Sequence, residues 1–411
     1  MAAASAVRLT LIVLLGLGLR LYRLDAVSLW SDEIFTVHWI HKDLRFLWTD
    51  GLIIETSPPL YYTLLKFWAW LAGPSDFSMR LFSALASAAT IPLVYLLGRA
   101  FGPPATGLAA ALLFALMPMQ LFYAQEVRTY ALLPLFFATA LLGLLHFTRT
   151  ATAQDRTGGW QGLPLFTISA LLLIYSHATS VFTVAALDIC CAGLLLASLA
   201  FLRLDRQAAA FLLGVPALLL ATMIRLSFKS PFLIPRITIW IAVPVCVLAA
   251  LALHSPVPRM LRAALALAFV ACIGVGLHGV YARTPTDKED WRGLVAELMP
   301  RLAPQDILAV GPGSGVLPLL HYSGGVLERT QRQIWRWVPA PRDPDIYLPD
   351  TIPPPLLVST ETLVAAAREG RRIRLVLQER DWLRHAQAAL SATPPPVSVD
   401  RSHPRLVLIT W

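Results

Sequence analysis

Apolar residues come in long runs from residue 9 to about residue 281, and beyond that point Pro, Asp, Glu and Arg become frequent. A helix crossing a bilayer needs about 20 mostly apolar residues. Stretches near that length fall at 7–22, 78–98, 106–124, 129–147, 162–178, 180–202, 208–226, 232–253 and 262–281. They predict about nine transmembrane helices. The fifth and sixth are separated only by a tight reversal at Ser176, His177, Thr179 and Ser180. A polar loop at 148–159 and Pro and Gly at 102–104 mark other turns. The opening stretch resembles a signal peptide, but no small-residue cleavage site precedes Arg20 and Arg23, so it reads as a retained first span.

Residues 23–77 interrupt this rhythm. Over 33–48, Ile34, Val37 and Leu44 form one stripe with Lys42, Asp43 and Arg45 elsewhere, and Trp39 and Trp48 suit a headgroup boundary. The pattern predicts a helix lying in the membrane interface. Residues 59–72 predict a second, started by Pro58 and Pro59 and too short to cross. The tail, 282–411, reads as a small α/β domain. It has a helix over Asp290–Leu302, strands at Asp306–Val310, Ile373–Gln378 and Arg405–Thr410, and Pro-rich loops at 339–355 and 394–396. Gly311-Pro-Gly-Ser-Gly315 lacks the spacing of a nucleotide-binding fingerprint and reads as a strand-to-helix turn. Two domains follow: a membrane domain, 1–281, whose first external loop is 23–77, and a C-terminal domain, 282–411.

Composition supports lipid as the solvent. Hydrophobic residues make up 56% of the 411 positions and charged ones 14%, against about 25% charged in soluble domains. Mean hydropathy is +0.62. The net charge of +9 has no Lys/Arg-rich tract with interleaved aromatics, so nucleic acid is excluded as a partner and anionic membrane lipid is the better one. Cys190, Cys191, Cys246 and Cys272 all lie in apolar runs, as buried packing residues do. With the N-terminus inside, cytoplasmic loops hold Arg99, Arg149, Arg156, Arg203, Arg206, Arg259 and Arg262, as the positive-inside rule expects. The outer face still holds Arg20, Arg23, Lys42, Arg45, Lys66, Arg80, Arg128, Arg225, Lys229 and Arg236. A phosphate-bearing ligand on that face would account for them.

Candidate chemistry starts at Asp32 and Glu33. Adjacent carboxylates beside Trp30, just outside a span, suit a general base or a metal site. They equally suit an N-terminus, with Ser31 or Asp32 as the cap and Glu33 favouring the helix dipole. Gln125-Glu126-Val127-Arg128-Thr129-Tyr130 joins two apolar spans and places Glu126 and Arg128 at the surface on the same side as Asp32; a local ion pair is the plainer account. His177 tops the fifth span on that side, and Arg236 stands beside Pro235, able to snorkel or to clamp a phosphate. His38 and His41 have helical spacing without a third ligand.

The order Leu29-Trp30-Ser31-Asp32-Glu33, Ser57-Pro58-Pro59-Leu60-Tyr61-Tyr62-Thr63-Leu64-Leu65-Lys66, Met79-Arg80-Leu81-Phe82-Ser83-Ala84-Leu85 and Gln125 to Tyr130 resembles the bacterial glycosyltransferase family 39. Its members have the GT-C fold and are related to dolichyl-phosphate-mannose protein mannosyltransferases and lipid A aminoarabinose transferases. Tyr175-Ser176-His177 is similar to the family's tyrosine-threonine-histidine segment, and Lys288-Glu289-Asp290-Trp291-Arg292 to the start of the C-terminal domain in many members. Ser57 stands where many members have His, and Ala178 replaces an aromatic, which bears on the substrate rather than the reaction.

The resemblance implies a polytopic α-helical protein of the inner membrane, with its active site and C-terminal domain on the extracytoplasmic side. It implies inverting transfer of a sugar from a polyprenyl-phosphate donor to an acceptor hydroxyl or amine on a lipid, glycan or protein. Asp32 matches the catalytic aspartate. Arg128 and Arg236, with Lys66 behind them, would stabilise the leaving phosphate, while Glu33, Glu126, Tyr130 and His177 position sugar or acceptor. No cofactor is required beyond the lipid-linked donor; a divalent metal is compatible with the acidic pair but not predicted. A carrier or flippase for lipid-linked saccharides is the alternative, though no inverted repeat is evident. A non-catalytic subunit would have no need of Asp32.

Overall fold

The computed structural model describes residues 2–55, 57–152, 162–199, 211, 214–227, 236, 238–254, 258–283, 288–311, 315–337, 354–378, 393 and 395–411. The predicted loop beyond Thr152, the turn residues 312–314, the Pro-rich stretch 339–353, and Arg156, Arg203, Arg206, Lys229 and Pro235 lie outside them. The chain divides into two compact units: Met1–Leu24 with Ile40–Val280, and Asp25–Trp39 with Tyr281–Trp411. Hydropathy marks the change near Tyr281 but not the assignment of Asp25–Trp39 to the tail.

The first unit is helical: α1 (Ala2–Leu21), α3 (Leu44–Trp48), α4 (Asp50–Ile54), α5 (Leu60–Ala72), α6 (Asp76–Phe101), α7 (Pro104–Leu116), α8 (Pro118–Ala124), α9 (Leu132–Thr152), α10 (Leu163–Ser176), α11 (Ser180–Leu199), α12 (Val215–Ser227), α13 (Ala242–His254) and α14 (Arg259–His278). The described residues of the nine predicted spans overlap helices, while 200–202, 208–210, 212–213, 232–235 and 237 lie outside the described residues. Four helices among the described residues are long and apolar enough to cross a bilayer. A fifth span is formed if α7 and α8 are taken together across their 55° bend. The bend falls where Pro118, lacking an N–H, starts a new helix. The protein is thus a multi-pass membrane protein.

Small residues set the closest helix crossings, as they do where lipid supplies no hydrophobic drive between helices. A Cβ on Gly98 of α6 would stand 2.8 Å from the Gly107 Cα of α7, and one on Gly143 of α9 would stand 2.6 Å from the Phe166 nitrogen of α10. Around these crossings, Phe114, Phe137, Leu141 and Trp240 fill the core. Arg20 is fully buried and donates to Ser87 Oγ (2.9 Å) and to the carbonyls of Gly16 (2.8 Å) and Ala115 (3.2 Å), joining α1 to α6 and α7.

In α5, Tyr61, Tyr62 and Leu65 turn inward while Phe67, Trp70 and Leu71 are exposed, the division expected of an interfacial helix. The predicted helix over 33–48 is interrupted. Asp43 Oδ1 accepts from Phe46 N at 2.7 Å and caps α3, so the chain starts a new helix instead of extending the first. Cys246 is buried as expected, but Cys272 is exposed on α14.

The second unit contains α2 (Ser31–Trp39), α15 (Trp291–Arg301), β1 (Ile307–Gly311), α16 (Val316–Tyr322), α17 (Val326–Thr330), β2 (Ile334–Trp337), β3 (Leu356–Val358), α18 (Thr360–Arg368), β4 (Ile373–Gln378), β5 (Ser398–Asp400) and β6 (Leu406–Thr410). The sheet order is β3-β2-β1-β4-β6-β5. β1 to β4 are mutually parallel in that order, and β6 runs antiparallel to both β4 and β5. β1 is buried at every position, the pattern of a parallel strand covered on both faces. Leu363, Ala366 and Ala367 of α18 pack on Ala309, Trp335, Leu375 and Leu377. On the other face Trp291 of α15 and Val310 close around Gly315, which begins α16.

Candidate active site

The two units divide the predicted site residues: Asp32 and Glu33 belong to the second, and Lys66, Glu126, Arg128, Tyr130, His177 and Arg236 to the first. In the first unit, Thr129–Ala131 forms a single 3-10 turn at the head of α9, and Thr129 Oγ1 donates to the Ser176 carbonyl at the end of α10 (2.8 Å). That bond brings His177 to Tyr130, with ring centroids 6.0 Å apart. The Arg128 and Arg236 guanidiniums each stand 5.9 Å from the Tyr130 ring centroid. Tyr123 packs edge-on against the same ring at 5.3 Å. Two cations thus converge on one electron-rich ring, a favourable arrangement for each taken singly.

His177, one residue beyond α10, feels both charges. Its pKa is pushed down to about 4, by burial first and then by Arg128 and Arg236. The neutral ring is anchored through Nδ1, 2.9 Å from Thr179 Oγ1. Tyr62 of α5 is joined to the same cluster. Burial pushes its hydroxyl well above the ordinary range against the opposing pull of Arg128, and it hydrogen-bonds Ser57. Ser57, at the position where the resembled family often has His, is therefore a direct partner of a tyrosine in the cationic cluster. Glu126, two residues before Arg128 in the chain, is also buried.

Lys66 has backbone partners. Its Nζ donates to the Ile40 (2.8 Å) and Lys42 (3.0 Å) carbonyls, holding the chain between α2 and α3. Arg80 Nη1 likewise donates to the Leu24 carbonyl (3.1 Å), and Arg20 is used within the helix core. These three cations of the presumed outer face have structural partners in the backbone, so a ligand is not needed to explain them.

In the second unit, Asp32 lies in the first turn of α2 and is partly exposed. The capping role falls to Glu33 rather than to Ser31 or Asp32. Glu33 Oε2 accepts from the Trp30 N–H at 3.3 Å, the reciprocal half of a capping box. Its carboxylate is fully buried, 3.6 Å from Lys288 Nζ. Glu289 Oε2 accepts from Ser31 Oγ (2.9 Å) and Trp291 Nε1 (2.8 Å). Ser28 Oγ donates to the Glu289 carbonyl (2.6 Å), and Arg292 pairs with Asp25 (2.7 Å). Asp290 accepts from Gly293 N and caps α15. Every residue from Lys288 to Arg292 therefore has a defined task, and four of the five contribute to holding residues 25–33 or bracing the group that does. The resemblance marked this segment as the start of the C-terminal domain; nothing in its spacing indicated a partner more than 250 residues away.

Among the described residues, Glu297, Asp400 and His403 are close enough to share a metal ion. His403 is already engaged, Nδ1 lying 3.2 Å from Asp290 Oδ2 and Nε2 3.1 Å from Glu297 Oε2, which ties the β5–β6 turn to α15.

Residues 56–166 match the sequence model of the family described as dolichyl-phosphate-mannose-protein mannosyltransferase. No curated protein matches the chain. Among solved structures, ArnT from Cupriavidus metallidurans in the apo state is similar at 11% identity and TM-score 0.59, covering 100% of this chain and 98% of that one. The same protein bound to undecaprenyl phosphate is similar at 12% identity and TM-score 0.57, covering 98% of this chain and 97% of that one. In fold over its whole length, and in sequence over residues 56–166, the chain resembles the GT-C glycosyltransferases of family 39.

Proposed function

We propose that the protein is a membrane glycosyltransferase that moves a sugar from a polyprenyl-phosphate donor to an acceptor hydroxyl or amine on the extracytoplasmic side, with inversion at the anomeric carbon. The observation that carries this reading is the convergence of Arg128 and Arg236 on Tyr130 beside a His177 held neutral. The fold of a protein that binds undecaprenyl phosphate supports it. An array of guanidiniums and aromatic rings suits a phosphate at the end of a lipid tail, since Arg offers paired N–H donors and the rings stack on sugar or isoprenoid.

In the proposed reaction the acceptor oxygen or nitrogen attacks the anomeric carbon as Asp32 takes its proton. The carbon–oxygen bond to phosphate breaks, and its electron pair leaves on the phosphate. The departing group is a phosphate monoester with a second pKa of about 6, so it leaves without an acid if cations stabilise the developing charge. Arg128 and Arg236 supply that charge. A neutral His177 can position a hydroxyl without adding a third cation.

The test is transfer of radiolabelled polyprenyl-phosphate sugars in membranes containing wild type or Asp32→Asn, with folding of the variant checked by melting in detergent. General-base assistance is worth about 10²–10⁴-fold. A folded Asp32→Asn protein should lose transfer on that scale. Undiminished transfer would leave Asp32 as a residue of the α2 terminus only, and a wild type that binds the lipid but transfers nothing would favour a carrier.

A further inference from the structure

The tail is built as a doubly wound sheet, and such sheets have one favoured ligand position. It lies at the C-terminal ends of adjacent parallel strands whose connections run to opposite faces. Here those strands are β1 and β4. The chain leaves β1 toward α16 on the face carrying Trp291 and reaches β4 from α18 on the face carrying Ala309 and Leu375. Among the described residues, three from β4, α16 and the segment before α15 contact one segment of the protein itself. Gln378, the last residue of β4, donates from Nε2 to Ser31 Oγ at 2.7 Å. Tyr322, the last residue of α16, has its hydroxyl 2.7 Å from the Leu29 N–H. Glu289, two residues before the start of α15, accepts from Ser31 Oγ at 2.9 Å.

Ser31 Oγ is consequently oriented. The Gln378 Nε2 that faces it can only donate, so the Ser31 proton goes to Glu289, whose Oε2 is also braced by the Trp291 indole. The chain order Gln378, Ser31, Glu289, Trp291 fixes a hydroxyl directly next to Asp32.

We infer that the crevice of the tail takes the loop 28–33 as its internal ligand, and that Glu289 and Gln378 are positioning residues that hold Asp32 for transfer. This rests on the transferase reading. On it, the tail sets the geometry of the acidic loop. The device also explains why a segment next to the first span packs with residues 281–411.

The experiment uses the full chain in lipid nanodiscs, with Glu289→Ala, Gln378→Ala and Glu289→Gln. Amide hydrogen exchange is read over residues 25–39, β1 and β4, and kcat and KM are read with a polyprenyl-phosphate sugar. Both alanine variants should speed exchange at 28–33 while β1 and β4 stay protected. kcat should fall on the order of 10²-fold, the scale of a small misplacement of a reacting group, with donor KM unchanged. Glu289→Gln keeps an acceptor oxygen and should recover part of the loss. If Glu289→Ala also exposes the sheet, Gln378→Ala and Glu289→Gln carry the test. Unchanged exchange, or faster exchange with wild-type kcat, overturns the positioning role. A raised KM at constant kcat overturns it too, since the network would then be binding substrate. A wild type that transfers nothing fails the transferase reading itself and removes the catalytic meaning of the hold, an outcome distinct from the others.

Discussion

In the unit formed by residues 1–24 and 40–280, Arg20, Lys66 and Arg80 direct donors to backbone carbonyls. In the unit formed by residues 25–39 and 281–411, Lys288, Arg292 and Arg372 meet the carboxylates of Glu33, Asp25 and Asp306. The difference follows from the surroundings. A carboxylate carried into a bilayer costs several kcal/mol, whereas carbonyls at helix ends and turns are already present and need donors. A cation in the helical unit is therefore not by itself evidence for an anionic ligand. Arg128 and Arg236 both stand against the Tyr130 ring, and it is on that convergence that their proposed role as ligand groups rests.

The sharpest test of the contrast replaces these two. Arg128→Ala and Arg236→Ala should each lower kcat by about 10²–10³-fold, the loss seen when one preorganised donor is removed from a transition state. Melting temperature should change little. Arg128→Lys should restore little of the activity, because an ammonium lacks the planar fork and stacks poorly on Tyr130. If either alanine variant instead melts early with kcat intact, that arginine is another clamp and the distinction fails.

Arg20 tests the opposite side. Arg20→Met keeps the length of the side chain but leaves Ser87 Oγ and the Ala115 carbonyl without this donor. Stability in detergent should fall by about 1–3 kcal/mol, the cost of a hydrogen bond to a charged group lost in a buried site, and kcat of the protein still folded should be unchanged. A loss of turnover without loss of stability would place Arg20 among the ligand groups.

How far these roles could be read from the sequence depends on the range of the interaction. The apolar runs predicted the helices because burial in lipid writes itself into consecutive residues. The strands Ile373–Gln378 and Leu406–Thr410 were legible for the same reason, since alternation and β-branching are local. Gln125 to Tyr130 and His177 were singled out as surface groups of one side, and the Thr129–Ser176 bond does bring Tyr130 and His177 together. β2 was not predicted: Ile334-Trp-Arg-Trp337 is too short to show a period. The helix over 33–48 was over-read, because hydrophobic periodicity continues across Asp43 while the cap at Asp43 stops the backbone. The backbone partners of Lys66 were not legible, because a lysine that clamps carbonyls and one that binds phosphate look alike along the chain. The hold of Lys288 to Arg292 on residues 25–33 could not be seen at all, for it is made between segments that share no local pattern.

The smallest effect expected concerns His177, and it separates the cationic cluster from an ordinary interfacial histidine. Its pKa in the folded protein is about 4, against an ordinary value of 6.5, because burial and the charges of Arg128 and Arg236 disfavour the imidazolium. Between those two pH values the unfolded chain binds the extra proton and the folded chain does not, so stability rises with pH. The contribution is present in full above about pH 6.5 and is lost as pH falls from there toward 4. Thermal melts at pH 7.5 and pH 5 should show a larger drop for wild type than for His177→Gln, whose side chain carries no titrating proton. Replacing Arg236 by Ala should narrow the difference, since one of the two charges that depress the imidazolium is gone. Equal drops in wild type and His177→Gln would mean that the ring titrates alike in the folded and unfolded chains, and that the two arginines do not act on it as their approach to Tyr130 requires.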